Sequence, residues 1–263
     1  MRQMMTVARQ AARELMRGWW VASYGLFFML LAWALFAFGE RPAQAVVSVL
    51  DLVLLVIPFV SIVVGVLSFY NSREFAELLL AQPVARSTVF FGQYLGLSVS
   101  LAAAFTVGLG APFAWYGWST RDQAGTLLVL LLAGIFLTFI FVAFAFAIAV
   151  RTENRLKALG AAIFLWLFLA LVYDGLLLAV IMAFSAYPLE KPLLGLCVLN
   201  PLDVARILIL LRLDVAALMG YTGAVFKQFF GSTLGLGLAG ACLAAWVALP
   251  VLAGVNAYAR RDF

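Results

Sequence analysis

The strongest constraint on this chain is a series of apolar runs, each about 20 residues or longer, broken by short charged segments. A helix of about that length crosses a hydrocarbon core ~30 Å thick, because lipid offers no partner to an unpaired backbone N–H or C=O. Six such runs, at about 19–38, 47–70, 89–115, 124–150, 158–183 and 232–257, predict six transmembrane helices and an all-α polytopic fold. Composition agrees: of the 263 residues 66% are hydrophobic and 11% charged, with a mean hydropathy of +1.10. Soluble domains sit nearer about 45–50% apolar and about 25% charged. The first run spans 20 residues and continues into Gly39-Glu40-Arg41 without a small-residue cleavage site, so it is expected to stay as a membrane helix.

Charge sets the expected orientation, since Lys and Arg gather on the cytoplasmic side of short loops. Arg2, Arg9, Arg13 and Arg17 precede the first run, and Arg73 and Arg86 lie in the loop 71–88. Arg151, Arg155 and Lys157 lie in the loop 151–157, and Arg260 and Arg261 close the chain. The alternate short loops hold only Arg41 and Arg121, so both termini are expected in the cytoplasm. Residues 1–18 have an arc of Arg2, Thr6, Arg9, Gln10, Arg13 and Arg17 opposite one of Met4, Met5, Ala8, Ala12, Leu15 and Met16. That segregation predicts an amphipathic elbow helix in the interface plane, leading into the transmembrane domain of residues 19–263. The segment 184–231 holds Pro188, Pro192, Pro201 and two apolar pieces too short to span, Ile207–Leu211 and Val215–Tyr221. These read as external re-entrant or interfacial helices before the last span.

Several chemistries are poorly served by these residues. The chain has no histidine, and its two cysteines, Cys197 and Cys242, lie in no ligand spacing, so no metal site is expected. The lysines, Lys157, Lys191 and Lys227, follow no glycine-rich loop, so the chain does not cradle ATP as a P-loop does. No residue is assigned a catalytic role, and no turnover is expected from the chain alone. The net charge of +5 clusters at helix ends and suggests no nucleic-acid surface. Asp51 and Asp174 are the acids assigned to spans, both in the outer half. A carboxylate at the bilayer centre costs about 2.5–3.5 kcal/mol on insertion scales. Either the two sit at headgroup depth, or they line a polar external vestibule or proton relay; the relay would make this an ion- or proton-conducting protein. Gly92 and Gly96, and Gly231 and Gly235, form GxxxG spacings suited to close helix packing.

The loop "NSREFAELLLAQPVARS", Asn71–Ser87, is unusual for a solvated turn. Read as a helix to Gln82 and stopped by Pro83, it puts Phe75 on a face with Leu78 and Leu79, beside Glu74 and Glu77. So short a helix gains little stability alone and would lie on the bilayer or press into a partner's groove. Its two glutamates beside two arginines favour the partner, since a membrane-lying helix has Lys and Arg on its polar face.

The chain resembles the permease subunits of ABC-2-type ABC transporters. The resemblance rests on Arg73, Glu74, Phe75, Glu77, Leu78, Leu79, Leu80, Gln82, Pro83 and Arg86, followed by Gly92-Gln93-Tyr94-Leu95, where the pattern often has Lys at the position of Gln93. It extends to the elbow, the six spans and the re-entrant region. Within the family the likeness is to the permease of the nitrous-oxide-reductase maturation transporter, through "LNPLDVAR" (Leu199–Arg206), with Asn200, Pro201, Asp203 and Arg206, and the ending "RRDF". Exporters of drugs, lipids or peptides share the same architecture. The resemblance implies a bacterial inner-membrane protein that pairs with a second copy of itself. Two cytoplasmic ATPase subunits would bind ATP and Mg, and a periplasmic partner has a place on the outer face. The permease itself would bind no cofactor. The 71–88 loop would be the main ATPase contact, with Arg9 and Arg13 of the elbow and Arg151 and Arg155 of the next cytoplasmic loop as secondary ones.

Overall fold

The computed structural model describes residues 19–37, 42–73, 85–116, 121–184, 190–212 and 233–260. The expected elbow with Arg9 and Arg13, the loop residues Glu74, Phe75, Glu77, Leu78, Leu79, Leu80, Gln82 and Pro83, and the segment 213–232 lie outside the described residues. All described elements are helical: α1 (Trp19–Ala37), α2 (Pro42–Asn71), α3 (Arg86–Tyr116) and α4 (Arg121–Arg151) come first. α5 (Arg155–Leu167) runs through a π segment, Phe168–Val172, into α6 (Tyr173–Ala183). The chain ends with α7 (Glu190–Val198), α8 (Pro201–Arg212) and α9 (Thr233–Ala259).

Among the described residues, five helical rods are long and apolar enough to cross a membrane: α2, α3, α4, the combined rod Arg155–Ala183, and α9. α1 is shorter, apolar over Trp19–Leu35. Its 19 residues measure about 28 Å at 1.5 Å rise per residue, close to the thickness of the hydrocarbon layer. Most helices exceed the apolar runs read from sequence, because polar and charged residues continue the helix past the apolar stretch. α2 thus begins at Pro42, a helix-opening position that suits proline's fixed φ, and α3 begins at Arg86. The run expected as span five begins at Arg155 and changes register at Phe168.

α4 is the hub, with α2, α3, α5, α8 and α9 all packed on it. Its second half is buried on nearly every face, including Phe141, Phe146, Ala143, Ala145 and Ala149. Phe146 meets Phe69 of α2 at 5.4 Å and Phe90 of α3 at 5.6 Å, edge to face, and Tyr258 of α9 lies 5.6 Å from Phe90. Large rings from four helices therefore fill one end of the core, in the geometry aromatic quadrupoles favour. α1 packs chiefly on α3. The two backbones come so close that a Cβ on Gly108 would run into the carbonyl oxygen of Gly25. The Arg155–Ala183 rod is the outlier: 6% of its apolar window is buried, against 50–56% in α2, α3 and α4.

Candidate functional site

Two groups of polar side chains interrupt the apolar bundle. One gathers where α2, α3, α4, α5 and α9 end or begin, the basic end; the other joins α5 and α6 to α7 and α8.

At the basic end, the first residue of α3 and the last of α4 both reach α9. Arg86 donates from Nη1 to the carbonyl of Ala259 at 3.2 Å, which places a cation against the last turn of α9, where the helix dipole favours it. Arg151 donates to Ala253 O at 3.0 Å and to Ala147 O on its own helix at 2.7 Å. Tyr70 of α2 donates to Thr152 O at 2.7 Å, tying α2 to the tight turn after α4. Asn154 then caps α5, its Oδ1 accepting from Leu156 N at 2.8 Å and Lys157 N at 3.4 Å. Arg73 is half-buried at the end of α2, and Arg155 is exposed. Arg86 and Arg151, assigned from sequence to a partner surface, thus spend hydrogen bonds on this chain's own last helix. Gln93 is buried in α3, facing the bundle interior.

The second group starts from a helix-opening sequence. Asn200 is the N-cap of α8: its Oδ1 accepts from Leu202 N at 3.1 Å, and its backbone carbonyl accepts from Val204 N at 3.2 Å. Pro201 takes the first helical position, and Asp203 brings a negative charge to the first turn. Asn200 and Asp203 are buried, at 0% and 5% exposure. Asn200 donates from Nδ2 to Asp203 Oδ2 at 3.0 Å and, across the bundle, to Leu169 O at 3.0 Å.

That second bond explains the break in the rod. At the end of the π segment, Tyr173 N–H donates to Phe168 O, five residues back, where an α-helix would have it donate to Leu169 O. The Leu169 carbonyl, released from its α-helical donor, receives the Asn200 amide instead. Three further bonds complete the group. Tyr173 OH donates to Leu196 O of α7 at 2.6 Å, and Arg206 of α8 donates to Asp174 at 3.0 Å and to Asp203 at 3.4 Å. One guanidinium therefore serves two carboxylates. Burial, with the Asp174 carboxylate alongside, pushes the Asp203 carboxyl up to about 7, while Arg206 and Asn200 pull it down. Burial also pushes the neighbouring Cys197 thiol up to about 12, helped by Asp203 and Asp174.

Asp174 and the Asn200–Arg206 motif, read separately in the sequence, thus belong to one cluster. Asp51 does not join it: it is exposed on α2, and among the described residues no hydrogen bond or ion pair reaches its carboxylate. Sequence reasoning missed Tyr173 and also Trp246, whose Nε1 donates to Val198 O at 3.0 Å and ties α9 to the end of α7. An indole or a phenol in an apolar run carries no sequence mark of its partner. Among the described residues no three Cys, Asp or Glu side chains stand together as a metal site.

A helical bundle with several membrane-long rods and polar ties between its helices belongs to the class of polytopic membrane proteins. The chain is a member of the ABC-2 family of transporter proteins, whose sequence pattern matches residues 5–263. It is similar to a protein of Pseudomonas aeruginosa named probable ABC transporter permease protein NosY, 28% identical over 231 residues that cover 82% of this chain and 84% of the relative. A protein of the same name from Stutzerimonas stutzeri is 24% identical over 289 aligned positions, covering 99% of each.

Proposed function

We propose that this chain is the membrane permease of an ABC transporter of the inner membrane, driven by separate cytoplasmic ATPase subunits and working as a pair of copies. The carrying observation is the family match over residues 5–263, together with relatives named as permeases along nearly their whole length. On this reading the basic end faces the cytoplasm, α1 is the first of six spans, and the leucine-bearing loop 71–88 presses on the ATPase. The arrangement at the basic end supports it: Arg86, which follows that loop, and Arg151, which precedes the turn into α5, both grip α9. A displacement of either loop is then delivered to a membrane helix instead of being lost in a slack connection.

The pathway we propose is maturation of nitrous oxide reductase, with a periplasmic protein receiving the movement. It rests on the "LNPLDVAR" resemblance and on the two NosY relatives. A drug, lipid or peptide exporter is the alternative within the same family. A conducting role for Asp51 and Asp174 gains no support, since Arg206 engages Asp174 and Asp51 stands apart from the cluster.

The test is co-expression with the ATPase partner. Leu79→Glu and Glu77→Arg are expected to abolish co-purification and ATPase stimulation while leaving the chain folded in the membrane. Full co-purification and full activity in both variants would sink the coupling role of the loop.

A further inference from the structure

We propose that Asn200, Asp203 and Arg206 form a latch that holds α6 against α7 and α8, and that the π segment Phe168–Val172 is the hinge on which α6 moves when the latch opens. This goes beyond the permease reading and does not depend on it.

The two halves of the Arg155–Ala183 rod are anchored differently. α5 is held by packing: Ala158 and Ala162 are buried, the Trp166 ring lies 4.8 Å from Phe59 of α2, and its Nε1 donates to Leu55 O. α6 buries none of its residues. Its described polar ties to the rest of the chain are Tyr173 to Leu196 O and Asp174 to Arg206, with Asn200 on Leu169 O just before it. A rod fixed by apolar packing on one side of a break and by a few polar bonds on the other has its weak point at the break. Polar groups in such surroundings also have a discrete alternative, because one set of partners can be exchanged for another.

The alternative state here is the α register. If Asn200 leaves Leu169 O, that carbonyl can take back its α-helical donor, Tyr173 N–H. The extra residue of the π segment then passes along the helix, and α6 turns by about 100° and advances by about 1.5 Å. Such a turn swings Tyr173 away from Leu196 and Asp174 away from Arg206, so the three ties open together. The latch is therefore two-state: each tie supports the register that the other two require. A helix register shift of this kind belongs to the microsecond-to-millisecond range of conformational change.

Pulsed electron–electron spin distances in nanodiscs test this on the full chain without its partners. Cys197 and Cys242 are replaced by alanine, and labelled chain is diluted into unlabelled chain. One label pair joins Leu178 of α6 to Leu238 of α9; the control pair joins Phe164 of α5 to Leu238. All three positions are exposed. With a side-chain radius of about 5–6 Å, a 100° turn displaces the Leu178 label by about 8 Å. Asn200→Ala and Arg206→Gln are both expected to add a second Leu178–Leu238 population, shifted by up to about 8 Å, while the Phe164–Leu238 distance stays unchanged. Arg206→Gln keeps the α8 cap intact, so it still reads the latch if Asn200→Ala fails to fold. Unchanged distributions, or an equal shift at both pairs, would overturn the proposal, the second because the rod would then move as one body without a hinge.

Discussion

Replacing Gly108 with alanine isolates a single backbone contact. Gly108 of α3 faces Gly25 of α1 so closely that an added Cβ would collide with the Gly25 carbonyl oxygen, a backbone atom that no side-chain rotation can move aside. Gly25 is constrained in return, since a Cβ there would lie 3.1 Å from Ala104 O of α3. The helices must part to admit the methyl group, and α1 has little else to hold it, because its packing is chiefly on α3. Overpacking of this kind costs about 1–3 kcal/mol. Glycine-to-alanine substitution inside a helix also has an opposing gain of up to about 1 kcal/mol from backbone propensity. Gly110 supplies the correction: it lies on the same helix, and a Cβ there meets nothing nearer than Leu131 Cδ1 at 3.9 Å. Gly110→Ala should therefore be neutral or stabilising by up to about 1 kcal/mol. The difference between the two variants removes propensity and leaves the collision, about 1–3 kcal/mol. Titration of the purified chain with sodium dodecyl sulfate, followed by circular dichroism, measures both. Equal midpoints for Gly108→Ala and Gly110→Ala would refute the close α1–α3 crossing and the position it gives to α1.

The polar cluster yields two further expectations. Asn200→Ser keeps an N-cap acceptor for α8 and Asn200→Ala does not, so the serine variant should be more stable by about 1 kcal/mol in the same titration; equal loss in both would mean that the cap contributes nothing. The raised Asp203 carboxyl, about 7 folded against its ordinary 3.8, makes the folded chain bind a proton more tightly than the unfolded one. Its contribution to stability is then full below about 3.8 and is lost as the pH rises through about 7. The groups facing it are Asp174, Arg206, Asn200, the Tyr173 phenol and Cys197, whose thiol at about 12 stays protonated throughout that window. The chain should unfold at a lower temperature at pH 8 than at pH 5, and Asp203→Asn should flatten that difference. A slope that survives Asp203→Asn assigns the effect to another group.

The parts of the fold legible in the sequence are those set by the solvent. Lipid demands long apolar helices, so the rods α2, α3, α4, Arg155–Ala183 and α9 each coincide with an apolar run. What escaped is set by contact between distant residues. The segment Phe168–Val172 is as apolar as its neighbours, and its break in register depends on an amide 31 residues further on. Asn200, Pro201 and Asp203 carry the ordinary marks of a helix start, cap, proline and acid in order, but nothing local says that the cap also serves another helix. Arg86 and Arg151 show the same limit from another side. Charges in short loops suggest an outside partner, and nothing local says that the carbonyls of a neighbouring helix also lie within their reach.

These contacts give α9 a mechanical position that no single motif suggests. At its basic end it is gripped by Arg86 at Ala259 and by Arg151 at Ala253. Trp246, 13 residues before Ala259 and about 20 Å up the helix, is bonded to Val198, the last residue of α7. Two residues beyond Val198 stands Asn200, whose amide holds the π segment open. A push on the loops at the basic end therefore reaches the latch through one helix and two hydrogen-bonded junctions. Physical continuity alone does not make a coupling route; an element with two discrete states must lie along it. The π segment meets that requirement, since its alternatives differ by a whole residue of register, with no continuous bend between them. On the permease reading, ATP-driven movement at the basic end and the release of α6 are then opposite ends of the same helix.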